Sequence, residues 1–207
     1  MADYKEETRK TYDKIAEHYS KANSYQFWVS ELERFRALLS GKKIIDIGCG
    51  AGRDAAIFTR EGFDYTGVDA SEAMLKIAKE VAPEGVYKLM DFFHLDFQDN
   101  SFDGFWAAAS YLHIPKAEVG KALAEAERIL KPGGVGFISL KERNGMEEGM
   151  IEQTYSSDRV SRFFAFYEKG EFERYLTSAG FELVGEATYF EQDERNTTWL
   201  GYFVRKP

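Results

Sequence analysis

The sequence predicts an α/β fold: a doubly wound sheet of seven strands, mostly parallel with one antiparallel strand, and two helices ahead of it. Two observations support this prediction. Five short apolar segments alternate with amphipathic helical segments, which is the pattern of parallel strands joined by crossover helices. Two further strand segments then follow one another with no helix between them, and a direct connection of this kind makes one of them antiparallel.

Two amphipathic helices precede the first strand. Residues Asp3 to Ser20 predict the first, whose apolar face at helical spacing consists of Tyr12, Ile15, Ala16 and Tyr19. Residues Ser24 to Leu39 predict the second, with Trp28, Leu32, Phe35 and Leu39 on one face. A parallel α/β sheet does not need such helices, so they indicate an added function.

The stretch from Lys43 to Ala56 predicts a strand, a tight turn and a helix. An apolar β-branched run is followed by glycines at positions 48, 50 and 52, which leave bare backbone against which a ligand can lie. A dinucleotide-binding turn needs a glycine where this chain has Arg53, and a P-loop needs Gly-Lys-Ser/Thr, which does not occur here. The turn therefore suits a nucleoside-type ligand without a bridging diphosphate.

The string IIDIGCGAG, with Asp46 just ahead of the turn, resembles the first motif of class I S-adenosylmethionine-dependent methyltransferases. The resemblance implies a Rossmann-like fold and S-adenosylmethionine as cofactor, with S-adenosylhomocysteine as product. In that family, helices ahead of the sheet form a lid, and YDKIAEHY is similar to the lid tyrosine pattern, so Tyr19 is expected to touch the ligand. Alternatively, Tyr12 and Tyr19 are ordinary half-buried aromatics.

Two later strands end in carboxylates. The strand Asp64 to Asp69 places Asp69 where it can accept both ribose hydroxyls, although Asp69 or Ser71 could instead cap the following helix. The strand Val86 to Met90 is followed by Asp91 and Phe92, which can accept from the adenine amino group and contact the ring. The resemblance also implies cofactor contacts from Ala70 and Met74, although by composition Met74 is more often a core residue.

The fourth and fifth strands are predicted at Phe102 to Ala109 and Val135 to Leu140, with a helix from Pro115 to Leu130 between them. Small residues that include Ala108 leave room for the methionine part of the cofactor, as in the family. The loop after the fourth strand carries His113 where the methyl group should point. His113 is therefore the candidate catalytic base, and a purely structural histidine is the alternative.

Residues Lys141 to Arg162 show no periodic apolar face and predict an irregular insertion or substrate loop. Arg143, Arg159 and Arg162 could hold a substrate carboxylate or phosphate, but we favour solvated surface positions for all three. A strand-like segment at 163–167, a helix at 172–179 and strands at 182–190 and 198–205 complete the chain, with the polar EQDERNTT as a hairpin loop between the last two.

Composition limits the class of partner. The formal charge of −8 and the absence of a basic stripe argue against nucleic acid, and the single Cys49 with few histidines argues against a metal site. No membrane span and no signal peptide are visible, so we expect a cytoplasmic protein without membrane contact. A small-molecule substrate fits this balance best, and the sequence does not indicate an oligomeric state.

These observations lead to one hypothesis for the 207-residue chain. It is a single methyltransferase domain with a helical lid (1–41), a cofactor-binding core (42–140) and a substrate loop with a C-terminal β-hairpin region (141–207). Gly48, Gly50 and Arg53 hold the amino-acid end of S-adenosylmethionine, and a small molecule accepts the methyl group. The alternatives are a non-catalytic S-adenosylmethionine-binding protein and, disfavoured by Arg53 and the terminal hairpin, an NAD-dependent oxidoreductase.

Overall fold

The computed structural model describes residues 3–23, 28–155, 158–191 and 197–207. Six α-helices are found in these ranges: α1 (Tyr4–Ala22), α2 (Val29–Leu38), α3 (Ala55–Arg60), α4 (Glu72–Val81), α5 (Lys116–Ile129) and α6 (Glu171–Ser178). The strands in these ranges are β1 (Lys43–Ile47), β2 (Asp64–Asp69), β3 (Val86–Leu89), β4 (Phe102–Ala108), β5 (Leu130–Lys141), β6 (Glu148–Tyr155), β7 (Asp158–Ala165), β8 (Glu182–Glu191) and β9 (Thr197–Arg205).

Seven of these strands form one twisted sheet in the order β3-β2-β1-β4-β5-β9-β8. The pairs from β3 to β5 are parallel, and β9 is antiparallel to both of its neighbours. The predicted fold class is thus confirmed, including the single antiparallel strand near one edge. None of the helices in the described ranges is both long and apolar enough to cross a lipid bilayer.

The register of the parallel strands brings their carboxyl ends to one edge of the sheet. Ile47 lies opposite Val68, Asp46 lies opposite Trp106, and Ala108 lies opposite Ser139. The residues that follow these strands therefore meet at a single crevice, which is where doubly wound sheets bind their ligands.

Apolar side chains cover both faces of the sheet. On one face α5 and α6 pack against strand residues that include Phe105 and Leu140. On the other face, Phe35 of α2 and Phe58 of α3 surround Trp106, whose ring stacks on Phe137 at 4.3 Å. Aromatic pairs of this kind add to the free energy gained by burial.

The N-terminal helices follow the predicted apolar faces. In α1, Asp3 caps the helix by accepting from the Lys5 N–H, and Ile15 and Ala16 are buried. In α2, Leu32 and Phe35 are buried, and Trp28 stands at the N-cap position. The first part of the second predicted helix, residues 24–27, lies outside the described residues, as do residues 192–196 of the predicted EQDERNTT loop.

The prediction of an irregular loop from Lys141 to Arg162 is wrong. Here β6 and β7 form a separate two-stranded antiparallel sheet, with Ile151 opposite Arg162. Alternate residues of β6 are partly covered, but these inward positions include Gly149 and Gln153. Because the covered face mixes polar and apolar residues, the sequence does not show the alternation with a period of two that marks a strand.

Candidate active site

A cavity of about 470 Å³ lies at the carboxyl ends of β1, β2 and β4, beneath α1. Its volume is in the range of small-molecule and cofactor sites. All the residues that the sequence analysis selected line it: Tyr19, Asp46, Gly48, Gly50, Arg53, Asp69, Ala70, Met74, Asp91, Phe92, Ala108 and His113. We call it the cofactor cavity.

Asp69 connects the end of β2 to the glycine turn. One carboxylate oxygen accepts from the Gly50 N–H at 2.9 Å and the other from the Ser71 N–H at 2.9 Å. The cap of α4 is Ser71, whose hydroxyl accepts from the Met74 N–H at 3.1 Å, so the helix does not need Asp69 as its cap. Burial raises the pKa of Asp69, and the backbone hydrogen bonds oppose this increase in part. Each oxygen retains a lone pair for a ligand hydroxyl.

Two glycines of the turn have different neighbours. A Cβ on Gly48 would lie 2.4 Å from the Ser110 Cβ, so this glycine permits close packing against the loop after β4. A Cβ on Gly50 would meet no atom within 4 Å, so its backbone borders open space in the cofactor cavity. Both have positive φ, +80° and +53°, which L side chains rarely adopt. Bare backbone faces a ligand at Gly50, whereas Gly48 shapes the turn.

An acidic and a basic group lie beside this turn. Asp46 is only 3% exposed and accepts from the Tyr65 hydroxyl at 2.8 Å. Burial, and then the nearby Asp54, raise the pKa of Asp46 well above its ordinary value. Arg53 donates through Nε and Nη2 to both oxygens of Asp54, which also accepts from the indole N–H of Trp106 at 2.8 Å. Asp46 can accept from the ammonium group of an amino acid, and the N–H groups of Arg53 that are not bonded to Asp54 can donate to its carboxylate.

Asp91 and Phe92 follow β3 at the other end of the cofactor cavity. One oxygen of Asp91 accepts from the Phe93 and His94 N–H groups at 2.9 and 3.1 Å, which fixes the carboxylate. The Phe92 N–H has no acceptor among the described residues, and the Phe92 ring packs edge-on to Tyr111 at 5.3 Å.

Met74 of α4 lines the cavity and is 1% exposed, so it belongs to the core and to the site.

Asp13 of α1 connects this helix to the start of α4, a contact that the sequence does not indicate. One carboxylate oxygen of Asp13 accepts from the Ser71 hydroxyl at 2.7 Å and from the Ala73 N–H at 3.3 Å. Tyr12 and Tyr19 lie on the same helix and line the cavity. A sequence separation of 58 residues between Asp13 and Ser71 leaves no local signal for this contact.

The loop after β4 leaves the sheet through a strained residue. Ala109 has φ +58°, and its N–H donates to the Ser139 hydroxyl at 2.8 Å. The neighbouring Ser110 hydroxyl donates to the Ile47 carbonyl oxygen at 2.6 Å, which joins this loop to the end of β1. Backbone strain in a non-glycine residue persists only where its surroundings enforce it, and such residues cluster at functional sites.

His113 makes a hydrogen bond at each ring nitrogen. Nδ1 lies 2.6 Å from the carbonyl oxygen of Phe163, and Nε2 lies 2.8 Å from the hydroxyl oxygen of Tyr12. A carbonyl can only accept, so the proton of the neutral ring is on Nδ1 and Nε2 accepts from Tyr12. Burial, followed by the charge of Arg162, lowers the pKa of His113 to about 3. The ring is therefore neutral near pH 7 and touches a second group, Tyr12, that also lines the cavity.

A smaller cavity of about 120 Å³ adjoins the first. The two share Tyr12, Tyr19, Asn23, Arg53, Ala109 and His113. The walls that belong to the smaller cavity alone carry aromatic rings, the cations Lys141 and Arg162 and the carboxylate of Glu191. We call it the side cavity.

The solvated position that the sequence favours for Arg162 is wrong. It is 4% exposed and donates to the hydroxyls of Tyr12 and Tyr155 at 2.8 and 2.7 Å and to the Gln153 side-chain oxygen. By contrast, the Arg159 side chain is 80% exposed and pairs with Glu152, as expected for a surface residue. The two arginines differ in exposure because they lie on opposite faces of β7, and the sequence does not indicate which face of this strand is buried.

The fold is that of the class I S-adenosylmethionine-dependent methyltransferases, and the chain is similar to members of this family. Residues 45–138 match the family model described as methyltransferase domain. Three features of the cavity fit S-adenosylmethionine, the cofactor of this family: open backbone at Gly50, a strand-end carboxylate at Asp69 and a Phe92 N–H without an acceptor in the described part of the chain. Among the described residues, no group of three or more acidic, histidine or cysteine side chains could hold a metal ion.

Individual relatives agree with this class. Methyltransferase GfsG of Streptomyces halstedii is 36% identical over 102 residues, which cover 46% of this chain and 36% of that protein. The demethylmenaquinone methyltransferase of Symbiobacterium thermophilum is 34% identical over 152 residues, covering 64% of this chain and 58% of that protein. The chain thus spans less than two thirds of either relative.

A solved structure has the same fold. It is a S-adenosylmethionine-dependent methyltransferase from Methanosarcina mazei, with a TM-score of 0.74 and 17% identity, and the match covers 85% of this chain and 96% of that one.

Proposed function

We propose that this chain transfers the methyl group of S-adenosylmethionine to a small-molecule acceptor bound in the side cavity. The observation that carries the proposal is the position of that cavity, which adjoins the cofactor cavity at Ala109 and His113. Its volume of about 120 Å³ suits a compact molecule or the head of a longer one. The similarity to a demethylmenaquinone methyltransferase supports a planar ring compound as the acceptor.

The residues of the cofactor cavity bind and orient S-adenosylmethionine. Asp69 accepts the ribose hydroxyls, Asp91 and the Phe92 N–H bind the adenine, and Asp46 with Arg53 receives the amino-acid end. Once bound, S-adenosylmethionine supplies an electrophilic methyl group on a positively charged sulfur. The protein then needs to supply mainly position and the exclusion of water, and α1 contributes to both through Tyr12 and Tyr19.

Tyr12 and His113 provide a path for a proton. The Tyr12 hydroxyl donates to the unprotonated Nε2 of His113, and its own oxygen accepts from Arg162. An acceptor hydroxyl in the side cavity that donates to the Tyr12 oxygen could pass its proton through Tyr12 to His113. His113 is neutral near pH 7, so Nε2 can accept a proton, but a pKa lowered to about 3 makes it a weak base. It therefore takes the proton only as methyl transfer makes the acceptor oxygen strongly acidic.

A transfer assay tests the proposed function. Protein incubated with methyl-labelled S-adenosylmethionine and a cell extract should place label in the small-molecule fraction. Asp69→Asn should weaken cofactor binding about 100-fold, because it removes the carboxylate that accepts charge-assisted hydrogen bonds. Calorimetric titration with S-adenosylhomocysteine measures that loss.

Asp64→Asn is the matched control for the cofactor site. It makes the same change at the exposed start of β2 and should bind as the unmodified protein does. Cofactor binding without any transfer of label would favour a non-catalytic binding protein, and label confined to protein or RNA would contradict a small-molecule acceptor.

A further inference from the structure

The side cavity contains a buried guanidinium, that of Arg162, which has no carboxylate hydrogen-bond partner among the described residues. Arg162 makes three hydrogen bonds, and all three go to neutral oxygens, those of Tyr12, Gln153 and Tyr155. Its Nε has no hydrogen-bond partner among the described residues. An arginine carries five N–H donors, so two of them remain unused within the described part of the chain.

We propose that the methyl acceptor is a planar ring compound with an anionic oxygen, a carboxylate or an ionised ring hydroxyl, and that Arg162 binds this charge. The inference rests on the proposed function and names the substrate class for the same site. It makes Arg162 a specificity-determining residue, whereas the proton path through Tyr12 and His113 concerns the reaction itself.

Burial of this cation is the first argument. Removing a guanidinium from water is costly unless an opposite charge or several hydrogen bonds compensate for it. Arg162 is 4% exposed, and its hydrogen-bond partners among the described residues are the neutral side chains of Tyr12, Gln153 and Tyr155. The carboxylate of Glu191 lines the same cavity but accepts from the indole N–H of Trp199. A ligand with a negative charge would supply the missing counter-charge.

The surrounding rings are the second argument. The guanidinium carbon lies 5.0 Å from the ring centre of Tyr12, 5.8 Å from that of Tyr19, 5.2 Å from that of Tyr155 and 5.2 Å from that of Phe164. On the same cavity, Trp28 and Trp199 pack edge to face at 5.6 Å. Flat aromatic walls favour a flat ligand, because rings pack closely against rings.

The orientation of the hydroxyls is the third argument. The Tyr12 oxygen accepts from Arg162, so its proton points to His113, and His113 is neutral. The chain of hydrogen bonds that starts at the guanidinium therefore ends without meeting a negative charge. Within the described residues, the guanidinium of Arg162 therefore has no hydrogen-bonded counter-charge beside the side cavity.

A competing explanation is that Arg162 only connects α1 to the β6–β7 hairpin, since it bonds to Tyr12 and Tyr155. Binding selectivity separates the two roles. If Arg162 had only a structural role, its substitution would lower stability and would change the affinity for both members of a matched ligand pair by the same factor. An anion-binding arginine sets the preference for the charged member of the pair.

The test uses matched pairs of simple ring compounds with the protein saturated by S-adenosylhomocysteine. Benzoate and its neutral counterpart benzamide report a carboxylate, and 4-nitrophenolate and 4-nitroanisole report an ionised hydroxyl. Ligand-observed NMR titration measures each dissociation constant. We expect the unmodified protein to bind the anion of at least one pair at least 10-fold more tightly, and the pair that shows this preference identifies the anionic group.

Three variants complete the experiment. Arg162→Gln should abolish the preference for the anion, and Arg162→Lys should retain part of it. Arg159→Gln makes the same change of charge on the same strand at an exposed residue and should keep the full preference. Equal binding of anion and neutral compound by the unmodified protein, or an unchanged preference in Arg162→Gln, would overturn the inference.

Affinity for S-adenosylhomocysteine is measured in parallel for every variant. Retained affinity shows that a variant is folded, and Arg162→Lys serves as the folded comparison if Arg162→Gln loses it. An unmodified protein that fails to bind S-adenosylhomocysteine would contradict the proposed function, which is a different outcome from the loss of anion preference.

Discussion

At the scale of single residues, His113 shows how a buried side chain couples the site to pH. Its pKa is lowered to about 3, mainly by burial, whereas an unfolded histidine titrates near 6.5. As the pH falls below about 6.5, the unfolded chain takes up a proton that the folded chain does not. Acid therefore favours the unfolded state from about pH 6.5 down to about pH 3, and below that range His113 adds no further dependence.

This gives a measurable pH dependence of stability. Between pH 7 and pH 5, His113 should lower the free energy of unfolding by about 2 kcal/mol. In His113→Asn that share of the slope should disappear, although the variant loses stability at every pH through its lost hydrogen bonds. Denaturant titrations at several pH values measure the slope. His94→Asn, at an exposed position, is the control and should leave the slope unchanged; an unaltered slope in His113→Asn would contradict the assignment.

At the scale of elements, the two glycines of the turn are expected to differ in role: Gly48 mainly affects stability, and Gly50 mainly affects ligand binding. Gly48→Ala should cost about 3 kcal/mol, because a Cβ at φ +80° is strained and would lie 2.4 Å from the Ser110 Cβ. Gly50→Ala should cost only about 1 kcal/mol, since its Cβ meets no neighbour, but it should reduce affinity for S-adenosylhomocysteine. Thermal unfolding and calorimetric titration of both variants measure these effects. Equal effects of the two substitutions on stability would be inconsistent with this division.

The elements also show what could be predicted from the sequence. The interiors of β1, β2, β4 and β5 are buried, so the sequence pattern predicts that these strands exist, although β5 begins at Leu130 and not at Val135. The carboxylate of Asp69 could be predicted because it ends such a strand. The β6–β7 hairpin could not, because its covered positions are partly polar. Asp13 is not indicated by the sequence, and Arg162 is indicated only as a candidate with a solvated position favoured, for a related reason: each makes its contacts with residues far away in the sequence.

At the scale of the whole molecule, the sheet order predicts which of two adenosine-containing ligands stabilises the fold. Strand β9 runs antiparallel between β5 and β8, whereas a dinucleotide dehydrogenase has six parallel strands. S-adenosylhomocysteine at a 100-fold excess over its dissociation constant should raise the free energy of unfolding by about 2.7 kcal/mol, or the melting temperature by roughly 5–11 °C. NADH should give no comparable increase. A thermal-shift assay measures both, and stabilisation by NADH alone would revive the oxidoreductase alternative.

The pairing of β5 with β9 also has a consequence for biosynthesis. Residues Val135–Lys141 pair with Trp199–Arg205, which leave the ribosome long after them. During that interval the nascent polypeptide has an unprotected apolar strand edge, a surface on which chains aggregate. Recombinant yield should therefore depend on slow, cool expression or on chaperones that shield this edge until the final strand is available.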